Sequence, residues 1–277
     1  MTINPAPTLR LHGGALIPQL GLGTWPLDDA QAARAVSGAI QRGYRLIDTA
    51  ENYGNERGVG EGVRQSGLPR EEVFITSKFN RQWHSVDGAR TACEASLKRL
   101  GLDYLDLLLI HWPNPDQNAY VEAFAGLVKL REAGLVRAIG TSNFKQAHLL
   151  RLIDNGFVPE VNQIQLDPRH GRGDLLAFHQ LHDIVTEGWS PLGQGNDLLA
   201  HPVLAEIAEA HGRTPAQVAL RWQVQQGIIP IPKSADPARQ STNLDVFSFT
   251  LSADDMAAIA TLNEGDNGIM DSDAFGH

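Results

Sequence analysis

A chain of 277 residues, 42% hydrophobic and 20% charged, can bury a core of its own, which excludes a disordered or collagen-like polymer. With 32 acidic against 23 basic residues the net charge is −9, so a broad phosphate-backbone footprint for nucleic acid is not expected, and the single cysteine, Cys93, excludes an internal disulfide and points to a reducing cytoplasm. No apolar run approaches the ~18 residues of a membrane helix, and the N-terminus lacks the basic and apolar regions of an export signal, so neither spanning nor secretion is expected.

Residues 8–11 and 15–18 are short extended pieces around the turn His12-Gly-Gly14 and predict a hairpin outside the main repeat. Beyond residue 20, short β-branched runs alternate with longer amphipathic stretches. Strands are predicted over 19–23, 44–47, 73–77, 105–110, 136–140, 160–163, 184–189 and 227–231. Helices fall between them, among them 29–42, 86–100, 120–133 and 146–154, and Gly43, Gly101, Gly134 and Gly156 stand where these should stop. The seven steps from Leu22 to Ile231 average roughly 30 residues, the size of a βαβ increment. Eight parallel strands with right-handed crossovers close most naturally as a (β/α)8 barrel, here one domain over 1–277; an open doubly wound sheet is the alternative.

In such a barrel the catalytic groups gather at the C-terminal ends of the strands, and the residues just after each apolar run are polar. Asp48 ends the second, with Tyr53 five residues on. Lys78 ends the third, His111 the fourth, Ser142 and Asn143 the fifth, Gln163 the sixth, Trp189 and Ser190 the seventh, Lys233 and Ser234 the eighth. Single residues of these types can simply cap helices or satisfy loop backbone. A lysine at the end of an apolar strand is costly unless paired, and Asp48 is the obvious counter-charge for Lys78. Either the two form a structural ion pair, or Lys78 lowers the phenol pKa of Tyr53. In the second case Tyr53 is the proton donor to a carbonyl oxygen, with His111 hydrogen-bonding the same atom.

Five ordered motifs sharpen that choice: Asp48-Thr-Ala-Glu-Asn-Tyr53-Gly-Asn-Glu56, Phe74-Ile-Thr-Ser-Lys78, Leu108-Leu-Ile-His111-Trp-Pro113, Ile139-Gly-Thr-Ser-Asn143-Phe144 and Ile231-Pro-Lys233-Ser234. With them the chain resembles the aldo-keto reductases over almost its whole length, most of all the short bacterial members of the 2,5-diketo-D-gluconic acid reductase type. The resemblance implies a catalytic tetrad of Asp48, Tyr53, Lys78 and His111, with Tyr53 as general acid in reduction, and a cytoplasmic, monomeric NADPH-dependent reductase of small carbonyl compounds. It implies that Ser142, Asn143 and Gln163 bind the nicotinamide carboxamide and that Trp189 stacks on its ring. Ser190, Leu192 and Gln194 would wrap the pyrophosphate, Lys233, Ser234 and Arg239 hold the 2′-phosphate, and Asn243 meet the adenine. Two cations and a hydroxyl within seven residues fit that anion physically, although Lys233 and Arg239 also suit a solvated helix start.

The chain departs from the family pattern at Asn80, where an aromatic is common two residues after the tetrad lysine, which predicts an altered pocket wall with Trp83 in its place. It departs again in Gln163-Ile-Gln165-Leu-Asp167-Pro168 and at Thr242, the latter predicting softened cofactor affinity. Trp25, Trp83 and Trp112 predict an aromatic-lined substrate pocket. Three other classes compete. A metal-dependent hydrolase is suggested by His179-x-x-His182, but these fall in a helix rather than at strand ends, and no metal site is expected. A Schiff-base aldolase on Lys78 explains neither Tyr53 nor the basic cluster, and a slow NADPH-binding regulatory subunit is opposed by the complete tetrad.

Overall fold

The computed structural model describes residues 5–195 and 197–276. Thr8–Arg10 (β1) and Leu16–Pro18 (β2) pair antiparallel as the expected hairpin, with the bend at Gly14 in a positive-φ conformation that glycine adopts freely. Eight strands then run parallel to their neighbours: Gly21–Gly23 (β3), Leu46–Asp48 (β4), Phe74–Phe79 (β5), Leu105–Ile110 (β6), Val136–Ser142 (β7), Val161–Gln165 (β8), Val185–Trp189 (β9) and Ile229–Ile231 (β10). A parallel bridge between Gly23 and Lys233, with the Gly23 amide donating to Pro232 O, joins the last strand to the first. The sheet is therefore a nearly closed (β/α)8 barrel and not an open one.

Helices are Asp29–Arg42 (α1), Glu56–Ser66 (α2), Val86–Leu100 (α3), Tyr120–Glu132 (α4), Gln146–Asp154 (α5), Gly173–Leu181 (α6), Pro202–His211 (α7), Pro215–Gln225 (α8), Pro237–Leu244 (α9) and Ala253–Ala260 (α10). Local chemistry sets their ends: Asp28 and Gln31 form a reciprocal cap at the start of α1, and Thr214 and Gln217 do the same at α8, with Pro215 in the first turn. Four helices fall within a residue of expectation. Among the described residues no helix is long and apolar enough to cross a membrane.

Side chains alternate across each strand with period two, and this alternation builds the site. One set packs outward against the helices, as Ile75, Leu108, Ile110 and Ile139 do. The other set fills the barrel: Leu46, Phe74, Leu107, Leu109, Ala138, Val161, Ile229 and Ile231, with Leu11 and Ile17 of the hairpin plugging the N-terminal end. Continuing the same inward rows toward the C-terminal end, Leu46 leads to Asp48, Phe74 to Lys78, Leu109 to His111, Val161 to Gln163 and Val185 to Glu187. The barrel interior is thus apolar below and charged above. Strand β7 runs two residues past its apolar stretch, because Ser142 still pairs in register with Gln163. Strand β4 starts at Leu46, later than the predicted 44, and Tyr44 is instead buried just ahead of it.

Candidate active site

Lys78 is wholly buried at the top of β5, where an unpaired ammonium would be prohibitively costly. Its Nζ donates to Asp48 Oδ1 at 2.6 Å, to Thr49 O at 3.1 Å and to Tyr53 Oη at 3.3 Å, which uses all three ammonium hydrogens. Burial disfavours the ammonium, but the charges of Asp48 and Tyr53 and the bond to Asp48 outweigh it and hold the Lys78 pKa above its ordinary value. Tyr53 ends a single 3-10 turn, Glu51–Tyr53, that directly follows β4, so the turn carries the phenol back over Lys78. The expected lowering of its pKa is only part of the balance. Desolvation raises it most, Lys78 pulls it down, Asp48 pushes it up again, and the net direction is upward. Tyr53 is therefore held as a phenol at neutral pH, the form that can give a proton.

His111 follows β6 and is buried. Its ring meets the Tyr53 ring edge-on at 5.9 Å between centroids, and its Nδ1 lies 3.1 Å from Asn80 Oδ1. The four tetrad candidates thus meet at one end of the barrel. Asn80, expected to alter a pocket wall, bonds to the ring of His111 and to Glu51.

Ser142, Asn143, Gln163 and Trp189 form a connected ridge on the neighbouring strands. Asn143 adopts a left-handed backbone (φ 64°), a conformation asparagine tolerates better than most residues, and this turns its amide back over the barrel. Its Nδ2 donates to His111 O at 3.0 Å and to Ser142 Oγ at 3.1 Å, while its Oδ1 accepts from Trp189 Nε1 at 2.8 Å. Gln163 Nε2 donates at 2.8 Å to both Asp48 Oδ2 and Glu187 Oε2. Ser190 and Gln194 also hold positive φ (51° and 52°) in the loop after β9, where Leu192 is half-buried.

At the last strand Lys233 and Arg239 are exposed, while Ser234 and Asn243 are buried. Ser234 Oγ accepts from the Asp236 amide at 3.2 Å, and Asp236 Oδ1 caps α9 by accepting from the amides of Ala238 and Arg239 at 2.8 and 3.0 Å. Those helix-end amides are spent on Asp236, which leaves side chains to meet an anion here. Asn243 faces the buried Tyr44 hydroxyl. Thr242 Oγ1 donates to Ala238 O within α9.

The three tryptophans part company. Trp112 is buried beneath Phe275, the two rings 4.8 Å apart, Trp83 is half-buried with its Nε1 donating to Glu51, and Trp25 is 52% exposed. The C-terminal segment reaches Trp112 because charges latch it down. Lys145 pairs with Asp271 and Asp273, and Arg172 with Asp266, while His148 Nε2 lies 2.9 Å from Asp273 Oδ1 and His170 Nε2 bonds Asn267 O at 2.8 Å. Between this segment and Trp189 lies a cavity of about 270 Å³, lined also by Asn143, Phe144, Ile269 and Met270. His179 serves the core. Asn162 and Thr186 engage its two ring nitrogens, and burial lowers its pKa to about 3. Among the described residues no three His, Cys, Asp or Glu side chains group as metal ligands.

Glu187 is the site residue the sequence reading missed. It lies on β9 in register with Gln163, wholly buried, sharing the Gln163 amide with Asp48. Burial first, then the nearby Asp48 charge, raise its pKa to about 8, which favours the neutral acid at pH 7 and leaves Asp48 as the charged hydrogen-bond partner of Lys78. A carboxyl with a raised folded-state pKa stabilises the fold at low pH, and that contribution is lost as pH rises through about 8. Glu187→Gln keeps the bond and cannot ionise. Its melting temperature should exceed that of the parent by several degrees at pH 9 and by little at pH 5, and parallel melting curves at the two pH values would assign the titration elsewhere.

Residues 19–264 match the Aldo/keto reductase family. The chain is 49% identical over 261 residues to an aldo-keto reductase of Mycobacterium sp. (strain KMS), covering 94% of each chain. It is 48% identical over 260 residues to 2,5-diketo-D-gluconic acid reductase B of Corynebacterium sp. (strain SHS752001), again covering 94% of each. Among solved structures, a mutant of Gox0644 in complex with NADPH superposes with a TM-score of 0.92 at 44% identity over 98% of both chains. A Bombyx mori aldo-keto reductase in complex with NADP gives 0.90 at 34% identity over 97% of this chain and 96% of that one. With a nearly closed barrel, a buried charged cluster at its C-terminal mouth, and a match along nearly its full length, the chain belongs to the aldo-keto reductase family.

Proposed function

We propose that this chain reduces aldehydes and ketones to alcohols with NADPH, Tyr53 giving the proton. The observation that carries the reading is the Lys78 ammonium held between the Asp48 carboxylate and the Tyr53 hydroxyl at the barrel mouth. The reduced nicotinamide, when bound, supplies a hydride to the carbonyl carbon. Tyr53 gives its phenolic proton to the carbonyl oxygen as charge develops there, and Lys78 stabilises the phenolate left behind. Asp48 keeps Lys78 in place, and His111 binds the same oxygen from the other side. In the reverse direction Tyr53 takes the proton back.

The residues present fit such a cofactor. Trp189, anchored by Asn143, would offer a ring face to the nicotinamide, and because both amide hydrogens of Gln163 are spent on Asp48 and Glu187, Gln163 would meet the carboxamide through Oε1 as an acceptor. Ser142 and Asn143 complete that subsite. Ser190, Leu192 and Gln194 would border the pyrophosphate, Lys233, Ser234 and Arg239 the 2′-phosphate, and Asn243 the adenine. The relative named for a diketo-sugar acid makes keto-sugar acids and dicarbonyls the compounds to try first.

Loss of nicotinamide absorbance, followed with NADPH and with NADH against a panel of such carbonyls, tests the reading directly. Turnover with NADPH supports it, and absence of NADPH binding refutes it. Because charge-assisted bonds to an anion contribute about 1.5–3 kcal/mol, Arg239→Ala should raise KM for NADPH roughly 10- to 100-fold and leave KM for NADH nearly unchanged. Equal changes for the two cofactors would remove Arg239 from the phosphate subsite.

A further inference from the structure

The Asn80 side chain is held at both ends. Glu51 Oε1 accepts from Asn80 Nδ2 at 3.0 Å, from Gln82 Nε2 at 2.7 Å and from Trp83 Nε1 at 3.0 Å. With its NH2 end on the carboxylate, Asn80 turns its carbonyl Oδ1 toward His111 Nδ1, 3.1 Å away. An amide oxygen carries no hydrogen, so this bond forms only when Nδ1 is the protonated nitrogen. A neutral imidazole has one N–H. Neutral His111 then carries a lone pair on Nε2, and Nε2 can donate only from the imidazolium.

Resting on the reductase reading above, we infer that Glu51 and Asn80 are positioning residues that hold His111 in its Nδ1–H form, so that His111 donates to a carbonyl oxygen only when it is charged. The neutral ring instead accepts, which suits the hydroxyl of an alcohol. Reduction and oxidation thus draw on different protonation states of one histidine. Among the described residues, the charged and titratable groups bearing on it include the Tyr53 phenol, the Lys78 ammonium with its Asp48 partner behind that phenol, and Glu51 through the Asn80 amide. Glu51 is itself poised. Burial raises its pKa, while the Trp83 N–H, Arg99 and the Asn80 backbone pull it back.

Nitrogen-15 NMR of the full-length protein labelled at histidine reads the tautomer directly, with His111→Gln identifying the resonances. At a pH where the His111 ring is neutral, the parent protein should show protonated Nδ1 and bare Nε2. Asn80→Leu, which removes the acceptor, should move the proton to Nε2, and Glu51→Gln, whose side-chain oxygen still receives Asn80, should keep it on Nδ1. None of this requires a substrate, so the result stands apart from whether any carbonyl is reduced.

In turnover, kcat/KM for reduction should fall about tenfold as pH rises through the His111 titration in the parent. In Asn80→Leu that fall should shrink to less than threefold, because a neutral ring can now donate. A parent ring protonated at Nε2 when neutral, or an Asn80→Leu ring unchanged from the parent, overturns the inference. A purely structural Asn80 would lower activity equally at every pH. Should Asn80→Leu fail to fold, the parent spectrum alone decides.

Discussion

Tyr53→Phe should reduce kcat/KM for carbonyl reduction by about 10²- to 10⁴-fold, the range a positioned general acid supplies, while leaving NADPH affinity within about twofold. The substitution removes one oxygen from a half-buried ring whose neighbours otherwise stay in place. Lys78 keeps two of its three bonds, to Asp48 and to Thr49 O, so its charge remains paired. The loss therefore belongs to proton transfer rather than to folding, and an unchanged melting temperature beside a collapsed kcat is the expected pattern. Rapid-mixing kinetics with NADPH and the best carbonyl of the panel, paired with fluorescence titration of cofactor, separates the two quantities. A variant that keeps a tenth or more of parental kcat would transfer the acid role to another group.

Lys78→Met should be costly to the fold as well as to activity. It leaves the 2.6 Å contact of Asp48 Oδ1 without its cation, in a barrel interior where Glu187 already has to stay neutral. Breaking a buried pair from one side costs about 3–5 kcal/mol, which in a chain of this size is a fall of roughly 6–20 °C in melting temperature. Asp48→Asn added to Lys78→Met should recover much of the stability and none of the activity. Calorimetry of the two single variants and the double variant measures this coupling, and simple additivity of the losses would show that the two side chains do not depend on each other.

Much of this arrangement is legible in the order of residues. A polar residue just after an apolar run can be read off the sequence, which is why Asp48, Lys78, His111 and Gln163 stand out. The terminal glycines after α1, α3 and α5 mark the ends of those helices within two residues. What stays hidden depends on burial and on contacts between distant segments. Glu187 sits in a strand whose alternation does not declare which face is inward, so its carboxyl reads equally well as a solvated charge. Asn80 and Glu51 lie 29 residues apart and meet only because β5 returns beside the turn that carries Tyr53. For Tyr53 itself, the sequence supplies the neighbouring cation but not the desolvation that outweighs it. The tryptophans illustrate the same limit, since Trp25 and Trp112 share a residue type and differ almost completely in exposure.

The side chains that fill the barrel, with the hairpin beneath them, make the molecule a blind vessel. Leu11 and Ile17 stopper it from below, so nothing can pass through from one end to the other. Whatever reaches Tyr53 must enter and leave by the same rim, past the segment that Lys145 and Arg172 hold over it. Traffic through such a vessel is first in, last out. The order in which two occupants come and go is then set by how deep each one sits, and the shallower guest has to depart before the deeper can follow, whichever of them is held more tightly.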